Sequence, residues 1–347
     1  MPEGHSVHRI TRQFRRNFVG KAVAVSSPQG RFAVGAAELD GAVMTAAKAV
    51  GKQMFLGFDN GLWLRVHLGM YGAWDFSGEI LIDATIASAN GRMGQTNQRG
   101  TILDVAGENS LASIGALRRA RLRMAESESA GENSLASIGA PRRARLRISE
   151  SESAGEVFEW PPEPVGQVRV RLLTDTSCAD LRGPTACEVQ TAAEVQAVID
   201  RLGPDPQVDD SAAAEDRFVT AVRSKPTPIG QLLMDQRVVS GIGNVYRAEL
   251  LFRARLNPYT PGRSLSEAQA RALWRDWAHL LRIGVETGQM MTMDDLGPEE
   301  YRRAMAARDD RHWVYHRAGL PCRVCGTSVI VTEMSARKLY LCPTCQS

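Results

Sequence analysis

The 347-residue chain lacks any run of about 18 apolar residues, the length that a helix needs to cross a membrane. We therefore predict no membrane span and no membrane partner. The amino end also lacks the apolar segment of a secretion signal, because four arginines interrupt it: Arg9, Arg12, Arg15 and Arg16. These absences predict a cytoplasmic protein, and its 44% apolar and 23% charged residues are ordinary for globular domains.

Cysteine is scarce, with six residues, and a disulfide framework is not expected in the cytoplasm. Four cysteines stand in two C-x-x-C pairs, separated by 16 residues: Cys322, Cys325, Cys342 and Cys345. Four thiolates at this spacing fit one tetrahedral zinc ion in a closed, structural site. The remaining two, Cys178 and Cys187, have apolar neighbours and are predicted to be core thiols.

A large charge excess is also missing, since the net charge is only +3. Its distribution is uneven: residues 217–347 hold 19 Lys plus Arg against 12 Asp plus Glu, whereas residues 1–216 hold 23 against 27. The basic carboxyl-terminal part indicates a polyanionic partner, with an ordinary solvated basic surface as the alternative.

The first three residues, Met1-Pro2-Glu3, are the point around which the chain is organised. The small residue after the initiator favours removal of Met1, which leaves Pro2 as a free secondary amine. An α-amino group has a reference pKa near 8, against about 10.4 for lysine, so about a tenth of it is nucleophilic at neutral pH. Attack on a sugar C1′ or an aldehyde gives an iminium, with Glu3 beside it as a proton donor and acceptor. The alternative is an ordinary trimmed terminus.

Residues 4–18 place apolar side chains at three- and four-residue intervals, which predicts an amphipathic helix ending near Gly20. His5 and His8 lie on this helix and are interpreted as packing or hydrogen-bonding residues. From Gly20 to about Trp74, short apolar stretches are separated by glycines. This pattern predicts antiparallel strands in a β-sandwich or barrel.

Two turns in this strand region carry unusual residues. Gly51-Lys52-Gln53 places a lysine at a hairpin tip, where it is either simply solvated or able to reach a phosphate or reaction centre. Gly69-Met70-Tyr71-Gly72 places a flexible apolar and an aromatic side chain between two glycines. An apolar loop tip is either packed core or a wedge for a stack of bases.

The strand pattern stops between about residues 79 and 155. Within this stretch the 24-residue segment 106–129 recurs at 130–153 with three changes. Two copies are too few to stack a repeat domain, so we interpret the stretch as a surface insertion that is partly disordered. Its R-R-A-R-L-R runs are possible phosphate contacts, but each is followed by the acidic E-S-E-S.

Strands resume at 168–173, and a helix is predicted at 193–202. Residues 203–216 are rich in proline and aspartate and are predicted to be a linker. The part that follows is predicted to be helical, with a long amphipathic helix at 265–285.

Residues 228–255 are predicted to form a helix that begins at Pro228, a turn at 240–243 and a second helix that opens at Asn244. Two glycines before a helix start allow its N–H groups to approach an anion, which the helix dipole also favours, and Asn244 adds an amide donor. The alternative is a packed helical hairpin without a ligand. Between the cysteine pairs, two strands are predicted around a turn near 334–336, where Arg337 suits bidentate phosphate binding or is simply exposed.

Together these features resemble the formamidopyrimidine-DNA glycosylase/endonuclease VIII family of base-excision repair enzymes. The resemblance rests on M-P-E-G-H at the start, the glycine-lysine turn at Lys52, G-I-G-N-x-Y-x-x-E from Gly241 to Glu249, and A-R-K-L-Y-L-C-P-x-C-Q in the finger. It covers the whole chain except the insertion.

The resemblance implies an α+β multidomain fold. It comprises an N-terminal catalytic β-sandwich with flanking helices (1–202, with the insertion at 79–155), the linker, a helix-two-turn-helix domain (217–311) and a zinc-finger β-hairpin (312–347). It implies a monomer that binds damaged double-stranded DNA, contains one structural zinc and associates with the nucleoid.

By motif position, Pro2 is the implied Schiff-base nucleophile, Glu3 the proton donor to the sugar and Lys52 the lysine near the reaction centre. Asn244 and Arg337 are implied to hold the phosphates that flank the damaged nucleotide. Met70 and Tyr71 are implied to fill the space left by the extruded base.

The start M-P-E-G-H-S-V-H-R resembles the endonuclease VIII branch, particularly its actinobacterial versions, and the chain has Asp180-Leu-Arg-Gly-Pro184 where the guanine-lesion branch has a D-P-R-R-F-G-like loop. Oxidised pyrimidines are therefore the expected substrates, with release by β,δ-elimination. The alternatives are specificity for purine lesions and a catalytically silent zinc protein that binds damage.

Overall fold

The computed structural model describes residues 2–81, 92–93, 160–307 and 310–347. The tandem repeat and nearly all of the insertion lie outside these residues. Among the described residues, no helix is both long and apolar enough to cross a membrane.

The amino-terminal half is a sandwich of two antiparallel sheets. It contains the helices α1 (Gly4–Asn17), α2 (Ala33–Leu39) and α3 (Ala192–Ile199), and the strands β1 (Ala24–Ser26), β2 (Met44–Val50), β3 (Gln53–Phe58), β4 (Leu62–His67), β5 (Ala73–Gly78), β6 (Arg92–Met93), β7 (Val168–Leu173), β8 (Ser177–Arg182) and β9 (Ala186–Thr191). One sheet has the order β1-β7-β8-β5-β6 and the other β2-β3-β4-β9. The sandwich, rather than a barrel, is therefore confirmed.

The α1 helix packs its apolar face into the core of the sandwich. Phe14 lies 4.8 Å from the ring of Trp74 and 5.2 Å from that of Phe76, and Phe14 and Phe18 are fully buried. Burial of such aromatic side chains contributes roughly 1.5–3 kcal/mol each. The amino end of the chain is thus attached to a rigid element.

The second half is helical. It contains α4 (Ala212–Arg223), α5 (Ile229–Leu232), α6 (Asn244–Arg253), α7 (Glu267–Thr287) and α8 (Pro298–Ala306), followed by a hairpin of β10 (Ile330–Met334) and β11 (Arg337–Leu341). Buried aromatic residues of α7, Trp274 and Trp277, lie in the helical core. This architecture confirms the predicted fold class.

Two local predictions differ from the structure. The helix predicted to begin at Pro228 is only one turn long, because the chain turns again from Asp235 to Ser240. The predicted linker contains buried residues from Gly203 to Pro206, and α4 begins inside it at Ala212. Proline and aspartate indicated a solvated segment, but these residues turn against the helical core.

Candidate active site

Glu3 lies at the amino end of α6 and is fully buried. Its Oε2 accepts hydrogen bonds from the backbone N of Gly243 at 2.8 Å and of Tyr246 at 3.4 Å, and its Oε1 accepts one from Val245 at 2.9 Å. The free N–H groups of a helix start favour an anion at this position. We expected a phosphate here, but the structure places the carboxylate of the protein's own third residue there.

Three glycines from three separate motifs meet next to this carboxylate. Gly4 donates its backbone N–H to the carbonyl of Gly241 at 2.9 Å. A methyl group built at Gly241 would lie 3.4 Å from the Cα of Gly4 and 3.6 Å from the Cα of Gly51. We call Gly4, Gly51 and Gly241 the glycine junction. It joins the amino end, the turn Gly51-Lys52, which we call the lysine turn, and the turn before α6.

Pro2 is buried at the amino end of the chain, directly before Glu3 and outside α1. Pro2 is therefore joined directly to Glu3, which the start of α6 holds by hydrogen bonds, and through it to α1, which packs into the sandwich core. A nucleophile at a chain terminus needs such support to be held in a productive position.

Lys52 occupies the two-residue turn between β2 and β3, where Val50 pairs with Gln53. Gly51 has φ of 56°, a left-handed conformation that glycine adopts without strain. Burial lowers the pKa of Lys52 to about 8, and the positive charge of Arg337 also lowers it, against the opposing charge of Glu3. The turn therefore presents a desolvated lysine that interacts electrostatically with both Glu3 and Arg337 of the zinc-finger hairpin.

His67, at the end of β4, also faces this lysine and was not singled out from the sequence. Its pKa is lowered by burial and then by the positive charges of Lys52 and Arg65. The proximity of His67 to Lys52 is apparent only from the sheet, where Gln53, the residue after Lys52, pairs directly with His67. The pattern V-H-L contains no signal that would have identified it.

Met70 and Tyr71 project from the loop between β4 and β5. Their exposed fractions are 48% and 69%, so the loop tip is not packed core. A methyl group on Gly183, in the turn after β8, would lie 3.2 Å from the carbonyl oxygen of Tyr71. The turn that contains Gly183 therefore supports the base of this loop.

Asn244, the first residue of α6, contacts the zinc-finger hairpin. Its Nδ2 donates to the carbonyl of Lys338 at 2.8 Å, and its Oδ1 accepts from Arg247. Arg247 is fully buried and donates to the same carbonyl at 3.1 Å. Burial and then the charge of Arg337 lower the pKa of Arg247 to about 10. Arg337 itself is exposed at the start of β11. Because Asn244 binds the next residue of this strand, the hairpin holds the guanidinium of Arg337 near the start of α6.

Glu249, at the other end of the G-I-G-N-x-Y-x-x-E motif, binds residues 313–315, which precede the first cysteine pair of the finger. It is fully buried and accepts backbone N–H groups from Trp313 at 2.8 Å, Val314 at 2.9 Å and Tyr315 at 2.8 Å, and the hydroxyl of Thr292. Burial raises the pKa of Glu249, while these four donors oppose the shift. The motif thus ends in an acidic group that binds three successive backbone amides.

The four predicted zinc ligands come together. All four sulfur atoms lie within 4.8 Å of one another, with separations of 3.9 Å between Cys322 and Cys345 and 3.5 Å between Cys325 and Cys342. Tetrahedral zinc with Zn–S bonds of about 2.3 Å places sulfurs about 3.8 Å apart. The cluster therefore fits one structural zinc ion. Burial raises the pKa of the other two thiols, Cys178 and Cys187, to about 12, in agreement with inert thiols.

Three family models match the chain. They are the formamidopyrimidine-DNA glycosylase N-terminal domain over residues 1–113, the formamidopyrimidine-DNA glycosylase H2TH domain over 202–295, and the zinc finger found in FPG and IleRS over 319–347.

Curated relatives and solved structures agree with these matches. The chain is 34% identical to "Endonuclease 8 1" of Mycobacterium tuberculosis over the full length of both proteins. It is 40% identical to the formamidopyrimidine-DNA glycosylase of Thermus thermophilus over 42% of this chain and 54% of that protein. Its fold resembles the crystal structure of MutM (Fpg) from Thermus thermophilus, with a TM-score of 0.61, 24% identity and coverage of 99% and 98% of the two chains. It also resembles Lactococcus lactis Fpg in a complex with DNA that contains an abasic site, with a TM-score of 0.62, 16% identity and 99% coverage of each chain.

Proposed function

The chain belongs to the formamidopyrimidine-DNA glycosylase and endonuclease VIII family of bifunctional DNA glycosylases and AP lyases, and from this premise we propose that it excises oxidised pyrimidines through a Schiff base at Pro2. It is an enzyme of base-excision repair that binds DNA, and its finger is of the type that holds one structural zinc ion. The lesion class and the role of each residue are the parts that we propose.

The observation that carries the proposal is the glycine junction. Gly4 follows Pro2 and Glu3, Gly51 precedes Lys52, and Gly241 precedes the start of α6. Their backbones approach within van der Waals distance because none has a side chain. The amino end that carries Pro2 and Glu3 is thereby held close to the turn that carries Lys52, although the two are about 50 positions apart in sequence. Reacting groups held in this way gain much of their rate from orientation.

In the proposed reaction, removal of Met1 leaves the Pro2 nitrogen free. Its lone pair forms a bond to the sugar C1′, the damaged base departs with the electrons of the glycosidic bond, and the base takes up the proton that the Pro2 nitrogen releases. Glu3 gives a proton to the sugar as the ring opens, which leaves an iminium between Pro2 and C1′. The iminium acidifies C2′, so loss of that proton expels the 3′ phosphate, and a second elimination expels the 5′ phosphate.

Lys52 is proposed to assist proton transfer at the same centre. A pKa of about 8 means that it is mostly protonated at neutral pH but gives up its proton more easily than an exposed lysine. Such a group can donate a proton and recover it within one catalytic cycle.

DNA binding is assigned to the α6 start and the finger. Arg337 is proposed to bind one phosphate of the flipped nucleotide, and Asn244 a neighbouring one after its amide releases the Lys338 carbonyl. Binding by cations to phosphates weakens as salt rises, so affinity should fall with increasing salt concentration. Met70 and Tyr71 are proposed to enter the base stack, where an exposed thioether and an aromatic ring replace the extruded base.

Oxidised pyrimidines are proposed from the amino-terminal motif and from the turn after β8. That turn presents Gly183 and Pro184, which have no hydrogen-bonding side chain, where a D-P-R-R-F-G-like loop would present arginine and phenylalanine. We further propose that the enzyme acts as a monomer in the cytoplasm on nucleoid DNA.

Borohydride trapping on duplex DNA with an abasic site tests the chemistry. We expect a covalent adduct whose attachment point maps to Pro2, and much weaker trapping by Pro2→Ala. Absence of an adduct from the wild type would end the proposal and favour a silent damage-binding protein.

A kinetic panel of duplexes tests the specificity. Thymine glycol and 5-hydroxycytosine should be excised faster than 8-oxoguanine opposite cytosine. The reverse order would assign the enzyme to purine lesions.

A further inference from the structure

A buried carboxylate outside the proposed catalytic set connects two of its parts. Asp205 is 3% exposed and lies in the segment between α3 and α4. Its Oδ2 accepts the backbone N–H of Gly51 at 2.6 Å and lies 2.8 Å from Nε2 of His8. A carboxylate accepts only, so the imidazole donates through Nε2.

The two donors come from different catalytic elements. Gly51 directly precedes Lys52, and His8 lies on α1, the helix that begins next to Pro2 and Glu3. One oxygen atom therefore fixes the distance between the lysine turn and the amino-terminal helix. A buried charged group forms strong hydrogen bonds, so this connection is stiff.

The segment that carries Asp205 is itself anchored. The other carboxylate oxygen, Oδ1, accepts the backbone N–H of Gln207 at 2.9 Å. Ser240 donates its backbone N–H to Pro204 at 3.0 Å and its hydroxyl to Gly203 at 2.8 Å. Ser240 also touches the lysine turn, because a methyl group on Gly51 would lie 2.7 Å from its Cβ. Asp205 thus lies next to the glycine junction, and hydrogen bonds to Gln207 and Ser240 hold its segment in place.

We propose that Asp205 is a positioning residue of the reaction, which holds the Lys52 turn at a fixed distance from Pro2 and Glu3, and that His8 is its second anchor. The inference rests on the proposed Schiff-base chemistry at Pro2. Neither residue touches the substrate, and both act on the rate of the chemical step. A misplacement of about 1 Å in an active site reduces rates by up to about 100-fold.

The substitution Asp205→Asn disrupts this set of hydrogen bonds with little change in size. An amide has a single acceptor oxygen, so it cannot serve both Gln207 and the Gly51–His8 pair. Asp210→Asn is the matched control, since Asp210 is exposed in the same segment and lies 3.7 Å from Arg282.

The experiment separates chemistry from binding. Borohydride trapping is measured in single turnover with excess enzyme on a duplex with an abasic site, and affinity is measured on a duplex with a tetrahydrofuran site. We expect Asp205→Asn to trap roughly 10- to 100-fold more slowly with an affinity within about twofold of the wild type. Asp210→Asn should match the wild type in both. Zinc content and thermal midpoint report whether each variant is folded.

Variants of His8 provide an independent test of the proposal, which remains available if Asp205→Asn does not fold. His8→Gln retains a side-chain N–H of similar reach and should trap at nearly the wild-type rate, whereas His8→Leu has no donor and should be several-fold slower. Equal rates for the two His8 variants, or a wild-type rate for Asp205→Asn, would overturn the inference. A lower affinity at an unchanged rate would also overturn it. No adduct from the wild type would instead reject the Schiff-base chemistry.

Discussion

Glu3 and Gly243 approach so closely that a methyl group on Gly243 would lie 2.3 Å from the carboxyl carbon of Glu3. The backbone N–H of Gly243 also donates to Oε2 of Glu3 at 2.8 Å. The absence of a side chain at Gly243 is therefore what allows the carboxylate to reach the start of α6. Its φ of −122° is accessible to any residue, so space alone requires glycine here.

The substitution Gly243→Ala should therefore displace Glu3. We expect the rate of borohydride trapping to fall about 100-fold, because the group beside Pro2 is misplaced. Overpacking of this kind costs about 1–3 kcal/mol of unfolding free energy, so the variant should still fold. Gly297→Ala, where the added methyl group would meet nothing closer than 3.8 Å, is the control. Trapping by Gly243→Ala at the wild-type rate would show that Glu3 does not depend on this approach.

The variant Lys52→Met measures how the contribution of Lys52 to the reaction rate depends on pH. The Lys52 pKa of about 8 lies below the ordinary value of 10.5, so the amine is protonated below pH 8 and neutral above. If the protonated amine serves the reaction, the ratio of wild-type to Lys52→Met rates should be largest near pH 6.5. At that pH we expect a ratio of about 10²–10⁴.

The same ratio should fall as the pH rises through about 8. The ratio removes the part of the pH dependence that the two proteins share. A ratio that is independent of pH, or one that rises, would contradict a role for the protonated lysine.

Because the tip of the Met70–Tyr71 loop is exposed, we expect substitutions there to weaken DNA binding without lowering the stability of the protein. Met70→Ala and Tyr71→Ala should change the free energy of unfolding by less than about 0.5 kcal/mol, because both side chains are largely in solvent. Loss of an aromatic ring that stacks on bases costs about 1–3 kcal/mol, so Tyr71→Ala should bind a duplex with a tetrahydrofuran site about 10-fold more weakly. Val34→Ala, at an apolar side chain that is 77% exposed on α2, should have no effect. Equal affinity of all three variants would exclude the loop from the interface.

The hydrogen bonds of Glu249 are expected to attach the finger to α6, and the substitution Glu249→Gln tests this. Glu249→Gln replaces one acceptor oxygen by an amide donor that faces backbone N–H groups, and each buried donor left unsatisfied costs about 1–3 kcal/mol. We expect a lower thermal midpoint and weaker DNA binding, with zinc still bound because no cysteine is changed. Glu286→Gln, an exposed position on α7, is the matched control. An unchanged midpoint would mean that the three amides find other partners.

Local patterns determined a large part of this protein. The spacing of the four cysteines predicted the metal cluster, because two short turns fix each pair independently of the rest of the fold. The tight turn at Lys52 and the start of α6 at Asn244 were likewise predicted from the glycines that precede them. The family resemblance depends on such local motifs, which is why the sequence alone supported it.

Tertiary packing decided which groups these motifs meet. The sequence indicated an anion at the start of α6, but only the fold shows that Glu3, about 240 positions away, occupies it. The lowered pKa of Lys52 depends on burial, and the link from Asp205 to Gly51 joins positions 154 residues apart. No local pattern encodes these contacts, because they depend on backbones that approach closely only after the sandwich and the helical half have packed together.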